Sequence, residues 1–129
     1  MSKKLFDRCV SLAKNLAEFD NLHAQRHYSF LCLKNKVVST GMNNKWRTDP
    51  LASRFGHRFN ATHSEIAVLK QLDMPWRLLP HFTMINVRLN KNLEVMLAKP
   101  CKNCQNMLEW FEVGLVLYSN NNGGFERFI

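Results

Sequence analysis

The chain has 129 residues, enough for one hydrophobic core and too few for two full domains, so a single domain over 1–129 is expected. An apolar fraction of 46% with five glycines and four prolines excludes a disordered chain, and no stretch reaches the length of a membrane span. The formal charge of +8 suits a partner that carries phosphate, whether a nucleotide or a nucleic acid.

The opening "MSKKLFDRCVSLAKNL" breaks its apolar positions with charges every few residues, unlike a signal peptide, so an intracellular, cytoplasmic location is expected. From Ser2 to Phe19, Leu5, Cys9, Leu12 and Leu16 recur at helical spacing, and Phe6, Val10, Ala13 and Ala17 widen the stripe. This predicts an amphipathic helix against a core. "HYSFLCL" and "VVSTG" predict two strands joined by a turn at "KNK". Met42 to Thr62 shows no sustained period and predicts a long loop.

"THSEIAVLKQL" predicts a short helix with Ile66, Leu69 and Leu72 on one side, broken by "MPWRLLP". "FTMINVRLN" alternates Ile85, Val87 and Leu89 against Asn86 and Arg88, as a strand does. A second helix is expected from about Pro100 to Val113, with Cys104, Met107, Leu108 and Phe111 on one face and Pro100 at its first position. "GLVLYS" predicts a buried strand and "FERFI" a last short one. The few residues between them leave no room for a crossover, so the two should form an antiparallel hairpin turning near Asn122-Gly123. The order α-β-β-α-β-α-β-β predicts an α/β fold with a mixed sheet covered by helices.

The chemistry-bearing residues are sparse. Of four cysteines, Cys9 and Cys32 read as core, while Cys101 and Cys104 stand three apart at a predicted helix start. There both sulfurs can reach one metal ion, and the helix N-terminus favours the thiolate. A redox C-x-x-C fits the strand order poorly, and a four-cysteine zinc ribbon lacks its second close pair. Of His23, His27, His57, His63 and His81, His63 stands apart because Glu65 follows it at the start of another helix. Taken alone, Thr62-His63-Ser64-Glu65 reads as a capping box, with Thr62 and Glu65 exchanging hydrogen bonds. His23 and His27 read as packing or capping residues.

H-x-E opening one helix and P-C-x-x-C opening the next, with a strand between, is together the pattern of the zinc deaminases. On that pattern His63, Cys101 and Cys104 would bind Zn2+ and leave a fourth position for water, whose proton Glu65 would move. Thr62 to Leu69 and Lys99 to Leu108 thus resemble the cytidine deaminase-like superfamily, which includes free cytidine and deoxycytidylate deaminases, tRNA adenosine deaminases, APOBEC-type editors and toxin domains. The resemblance implies a three-layer α-β-α fold with a central five-stranded sheet and zinc held between two helix N-termini. It also implies a substrate-contacting asparagine after the second strand, where Asn43 stands with Asn44 as rival, and it makes Ser64 a further substrate contact. Free cytidine deaminases usually place a glutamate after that asparagine, and this chain has Lys45-Trp46-Arg47. The C-terminal hairpin resembles the branch with free cytidine deaminases and some toxin and RNA-editing domains.

In the long loop, Lys45, Arg47, Arg54 and Arg58 alternate with Trp46, Phe55 and Phe59. Such a set could neutralise phosphate and stack a base, with Trp46 the best contact, or it could merely pin the loop to the core. Three readings follow: cytosine deamination in a free nucleoside or nucleotide, the same reaction on single-stranded DNA or RNA, and a non-catalytic zinc-stabilised binding domain. Homo-oligomerisation is open, with Trp110-Phe111 and Phe125-Phe128 as candidate surfaces.

Overall fold

A computed structural model describes residues 2–19, 26–43, 54, 63–71 and 76–128. The expected loop with Trp46, together with Thr62, His23 and His57, lies almost wholly outside the described residues. The elements are α1 (Ser2–Ala17), β1 (Arg26–Leu33), β2 (Lys36–Met42), α2 (Ser64–Lys70), a 3-10 turn (Trp76–His81), β3 (Phe82–Leu89), β4 (Val95–Met96), α3 (Lys102–Trp110), β5 (Leu115–Ser119) and β6 (Phe125–Arg127). The short β4 and the 3-10 turn are additions to the sequence reading.

The strands form one mixed sheet in the order β2-β1-β3-β5-β6, and β4 pairs with the end of β3. β3 and β5 are parallel, and the connection between them contains α3; β1 is antiparallel to both β2 and β3. β5 and β6 form the expected antiparallel hairpin, Leu117 opposite Arg127 and Ser119 opposite Phe125. Its turn is gathered by Asn120, whose Oδ1 accepts from the N–H groups of Asn122 and Gly124, while Gly123 takes the left-handed φ of 81° that the turn requires.

Helices cover both faces, giving the expected three layers. On one face Leu5, Phe6, Cys9, Ala13 and Ala17 of α1 meet Tyr28, Phe30, Cys32, Ile85, Val87 and Leu89. The helix sits on its small residues, Cys9, Ala13 and Ala17, so Leu16 points away and is exposed, not part of the buried stripe as its spacing suggested. On the other face Ile66, Val68 and Leu69 of α2 and Met107 and Leu108 of α3 pack on Leu31, Met84 and Val116. Seven residues are too few for a free-standing helix. Burying these three α2 side chains, at roughly 1.5–3 kcal/mol each, holds it in place.

α2 also comes close to the sheet at one point. A Cβ at Gly41 of β2 would collide with the backbone of Ala67 and Val68, so only glycine allows this approach. The contact sets the height of α2, and hence of the residues at its start.

The strand-like alternation of Asn86 with Ile85 and Val87 holds in β3, and Asn86 is itself buried. β3 lies in the middle of the sheet with helices over both faces, so its polar-looking side faces the protein interior.

Candidate metal centre and its carboxylate

Two helix starts meet on the α2–α3 face. His63 is the N-cap of α2 (φ −75°, ψ 154°) and Cys101 the N-cap of α3 (φ −65°, ψ 165°). Their carbonyls accept the first helical bonds, from Ala67 N–H at 3.0 Å and Gln105 N–H at 2.8 Å. Neither is the Ser, Thr, Asp or Asn that a helix start favours, a choice that costs about 0.5–2 kcal/mol per end. Side chains that would cap a helix are replaced here by side chains that can bind a metal.

Pro100 stands one residue before this N-cap and not at the first helical position. Cys101 is extended, so helical geometry begins only at Lys102. The Gln105 side chain donates to the Pro100 carbonyl at 2.8 Å and ties the entering chain to the helix. The preceding segment is tied to β5, because Ala98 N–H donates to the Ser119 carbonyl and the Ser119 hydroxyl donates to the Met96 carbonyl.

These constraints bring three donors together. His63 Nδ1 lies 3.4 Å from Cys104 Sγ and 3.6 Å from Cys101 Sγ, and the three atoms all fall within 4.8 Å of one another. A zinc ion bonded to nitrogen at about 2.05 Å and to sulfur at about 2.3 Å, with tetrahedral angles, requires an N···S separation of about 3.6 Å. The donor set and its spacing therefore fit zinc, with three of its four positions supplied among the described residues.

Protons are shared unequally among the three. The Cys101 thiol is pulled down to about 3, first by the hydrogen bond from Cys104 and then by His63 and the Cys104 backbone N–H. Cys104 is pushed up because its S–H serves Cys101 and because it is buried. His63 is raised, chiefly by its bond to Cys101. The group on its own is a thiolate, a thiol and an imidazole that readily holds a proton.

Glu65, on the first turn of α2, is buried at 6% exposure, and burial lifts its carboxyl above the usual range against the pull of His63. Its partners are not those of a capping box. Ser64 Oγ lies 3.2 Å from Oε1, and Asn86 Nδ2 donates to Oε2 at 3.3 Å. Ser29 Oγ lies 2.7 Å from Asn86 Oδ1 and 2.8 Å from Ser64 Oγ. Ser29, Ser64, Glu65 and Asn86 thus close a buried ring of four contacts. Glu65 accepts at both oxygens, from the Ser64 hydroxyl and from the Asn86 amide.

Of the residues expected at the substrate, Ser64 is buried within this ring. Asn43, half-buried at the end of β2, accepts from the His27 N–H through Oδ1 at 3.0 Å and donates its own N–H back to the His27 carbonyl. Trp46 lies outside the described residues. Burial, Arg88 and then His63 hold His27 down to about 4, so its ring is neutral at physiological pH. Two participants went unread in the sequence, Ser29 and Asn86. Their signal is a polar residue in each of two strands whose neighbours on that face, Leu31 and Met84, are core residues.

No family model matches the chain, and no curated protein matches it in sequence. Its structure does match solved ones. A crystal structure of cytidine deaminase from Mycobacterium leprae superposes with a TM-score of 0.51 over 96% of this chain and 90% of that one, at 12% sequence identity. At that identity the likeness is one of fold: the chain has the α/β fold of a cytidine deaminase.

Proposed function

We propose that this protein is a zinc-dependent hydrolytic deaminase that converts cytosine to uracil in a free nucleoside or nucleotide and releases ammonia. The observation that carries this reading is the convergence of His63, Cys101 and Cys104 at two helix starts, with the buried carboxylate of Glu65 two residues from a metal donor. The fold match to a cytidine deaminase supports it.

His63, Cys101 and Cys104 would hold the ion, which when bound supplies Lewis acidity that makes water nucleophilic near neutral pH. Glu65 takes one proton of the attacking water and gives it to the ring nitrogen, then takes the second from the new hydroxyl on the ring carbon and gives it to the amine, which leaves as ammonia when the carbon–nitrogen bond breaks. A carboxyl raised by burial is suited to both directions, since it holds the proton between the two transfers. Asn43, just after β2, is the residue proposed to contact the nucleoside.

The charge of +8 favours a second reading, cytosine deamination in single-stranded DNA or RNA. A purely structural zinc domain has no use for a buried carboxylate beside its ligands, and Glu65 counts against it. Among the described residues no helix is long and apolar enough to cross a membrane.

The test is ammonia release and the gain of one mass unit across cytidine, deoxycytidine, their mono- and triphosphates, adenosine, and cytosine- and adenine-containing oligonucleotides. Glu65→Gln loaded with zinc is the control. Turnover of a free nucleoside or nucleotide by the wild type alone supports the first reading, and turnover of oligonucleotides with salt-sensitive retention on heparin supports the second. Turnover that survives in Glu65→Gln overturns the role given to that residue.

A further inference from the structure

We infer that Ser29 and Asn86 are positioning residues of the reaction, a cross-strand pair whose task is to fix the Glu65 carboxylate at the metal centre. The inference rests on the deaminase reading for the reaction itself, and on the buried ring for its geometry.

Ser29 of β1 and Asn86 of β3 are direct partners in the antiparallel register. They are 0% and 2% exposed, beside an apolar cluster of Leu31 and Met84 packed on α2 and α3. A buried polar pair gives the fold nothing that a leucine or valine pair would not, since unpaired it is costly and paired it roughly breaks even. Its position explains it: the pair lies directly beneath the first turn of α2, within hydrogen-bond distance of Ser64 and Glu65.

The bonding has a direction. Ser29 Oγ donates to Asn86 Oδ1, which turns Nδ2 of the same amide toward Glu65 Oε2. The other carboxylate oxygen, Oε1, is held by Ser64. Glu65 is therefore fixed at both oxygens, one from its own helix and one from the sheet. The sheet is the rigid part, and a general base must sit within a few tenths of an ångström of its place, because small displacements of a catalytic group cost large factors in rate. Asn86 acts through Glu65, and Ser29 acts through Asn86. Neither need touch substrate.

Asn86→Leu keeps the size of the side chain and removes both bonds. The expected result for the zinc-loaded variant is one zinc per chain, a KM within about threefold of the wild type, and kcat lowered by roughly 10- to 100-fold. Ser29→Ala lowers kcat in the same sense, and Ser29→Thr, which keeps the hydroxyl, restores it. In a Glu65→Gln background, Asn86→Leu adds no further loss, because its target is gone. A kcat unchanged in Asn86→Leu, or a loss that adds in full to that of Glu65→Gln, overturns the inference. Should Asn86→Leu not fold, the Ser29→Ala and Ser29→Thr pair decides by the same comparison. Should the wild type turn over no substrate, the deaminase reading fails, and crystal structures of zinc-loaded wild type and Asn86→Leu decide the positioning role alone. A carboxylate that swings out of its wild-type place in the variant supports it, and one that stays overturns it.

Discussion

Each face of the sheet carries a cysteine pair, and the two pairs have opposite characters. Cys9 of α1 and Cys32 of β1 are fully buried among Phe6, Tyr28 and Phe30; their mutual hydrogen bond and then burial push the Cys9 thiol up, while the same bond pulls Cys32 down against its burial. Cys101 and Cys104 stand at the start of α3 with His63 between 3.4 and 3.6 Å away, and there one thiol drops to about 3. Residue type is the same on both faces. The difference comes from the surroundings: an apolar layer closes the first pair off from solvent, while the second stands at a helix N-terminus beside an imidazole, where a thiolate can bind metal. Polar side chains are divided in the same way, since Ser29, Ser64, Glu65 and Asn86 are all linked on the α2–α3 side.

Substitution at the second pair should have the largest effects. Cys104→Ala should abolish stoichiometric zinc binding, read by metal analysis, and with it all turnover. The counterpart Cys9→Ala should leave zinc content at one per chain. Glu65→Gln separates metal from chemistry: zinc should stay and kcat should fall roughly a thousandfold, within the range for loss of a general acid–base. Equal zinc loss in Cys9→Ala and Cys104→Ala would erase the contrast between the faces.

The metal side should also depend on pH with a definite sign. Above about 3 Cys101 is already a thiolate, but Cys104 and His63 are both raised and hold protons that zinc must displace. The metal-free protein then carries more protons than the zinc form, so affinity rises with pH. While both protons are held, the rise approaches about a hundredfold per pH unit. Zinc titration against a competing chelator at several pH values measures it, and an affinity that falls as pH rises would contradict the proton assignment.

Much of this was legible in the residues, and the limits have physical causes. The donors and Glu65 are readable because metal chemistry needs particular residue types at particular spacings, and the element order followed from hydrophobic period. The burial of Asn86 was not legible, because alternation marks a strand without saying whether its polar side is solvated, and β3 is covered on both faces. Leu16 was misread because the helix settles on its smallest side chains, a matter of packing distance that period alone does not encode. The buried ring joins residues from β1, α2 and β3, far apart in sequence, so only the cross-strand register reveals it.

Gly41 tests whether the two layers on the functional face are fitted to each other. A methyl group at that point meets the backbone of Ala67 and Val68, which cannot rotate away as a side chain would. Gly41→Ala should destabilise the fold by about 1–3 kcal/mol, as overpacking does, and should also lower kcat because α2 carries His63 and Glu65. Thermal unfolding together with turnover reads both. A variant with full stability and full activity would mean that α2 can stand further from the sheet than this contact implies.

The smallest expected effects come back to the cysteines themselves. Cys101 is exposed and a thiolate in the metal-free protein, whereas Cys9, Cys32 and Cys104 are buried. A small alkylating reagent near neutral pH should therefore modify Cys101 first, and zinc should protect it, because a sulfur bound to metal is a poor nucleophile toward the reagent. Cys9 and Cys32 should react only as fast as the fold opens, at a rate that denaturant raises and zinc lowers through its stabilisation of the native state. Replacing Cys9 by Ala should cost only about 1 kcal/mol, the ordinary range for a small buried side chain, and leave the alkylation rate of Cys101 unchanged. Peptide mapping by mass spectrometry over a time course distinguishes the sites. If Cys9 or Cys32 were modified as readily as Cys101 in the folded protein, the α1 layer would not be the closed apolar face that its packing describes, and the division of labour between the two faces would have to be redrawn.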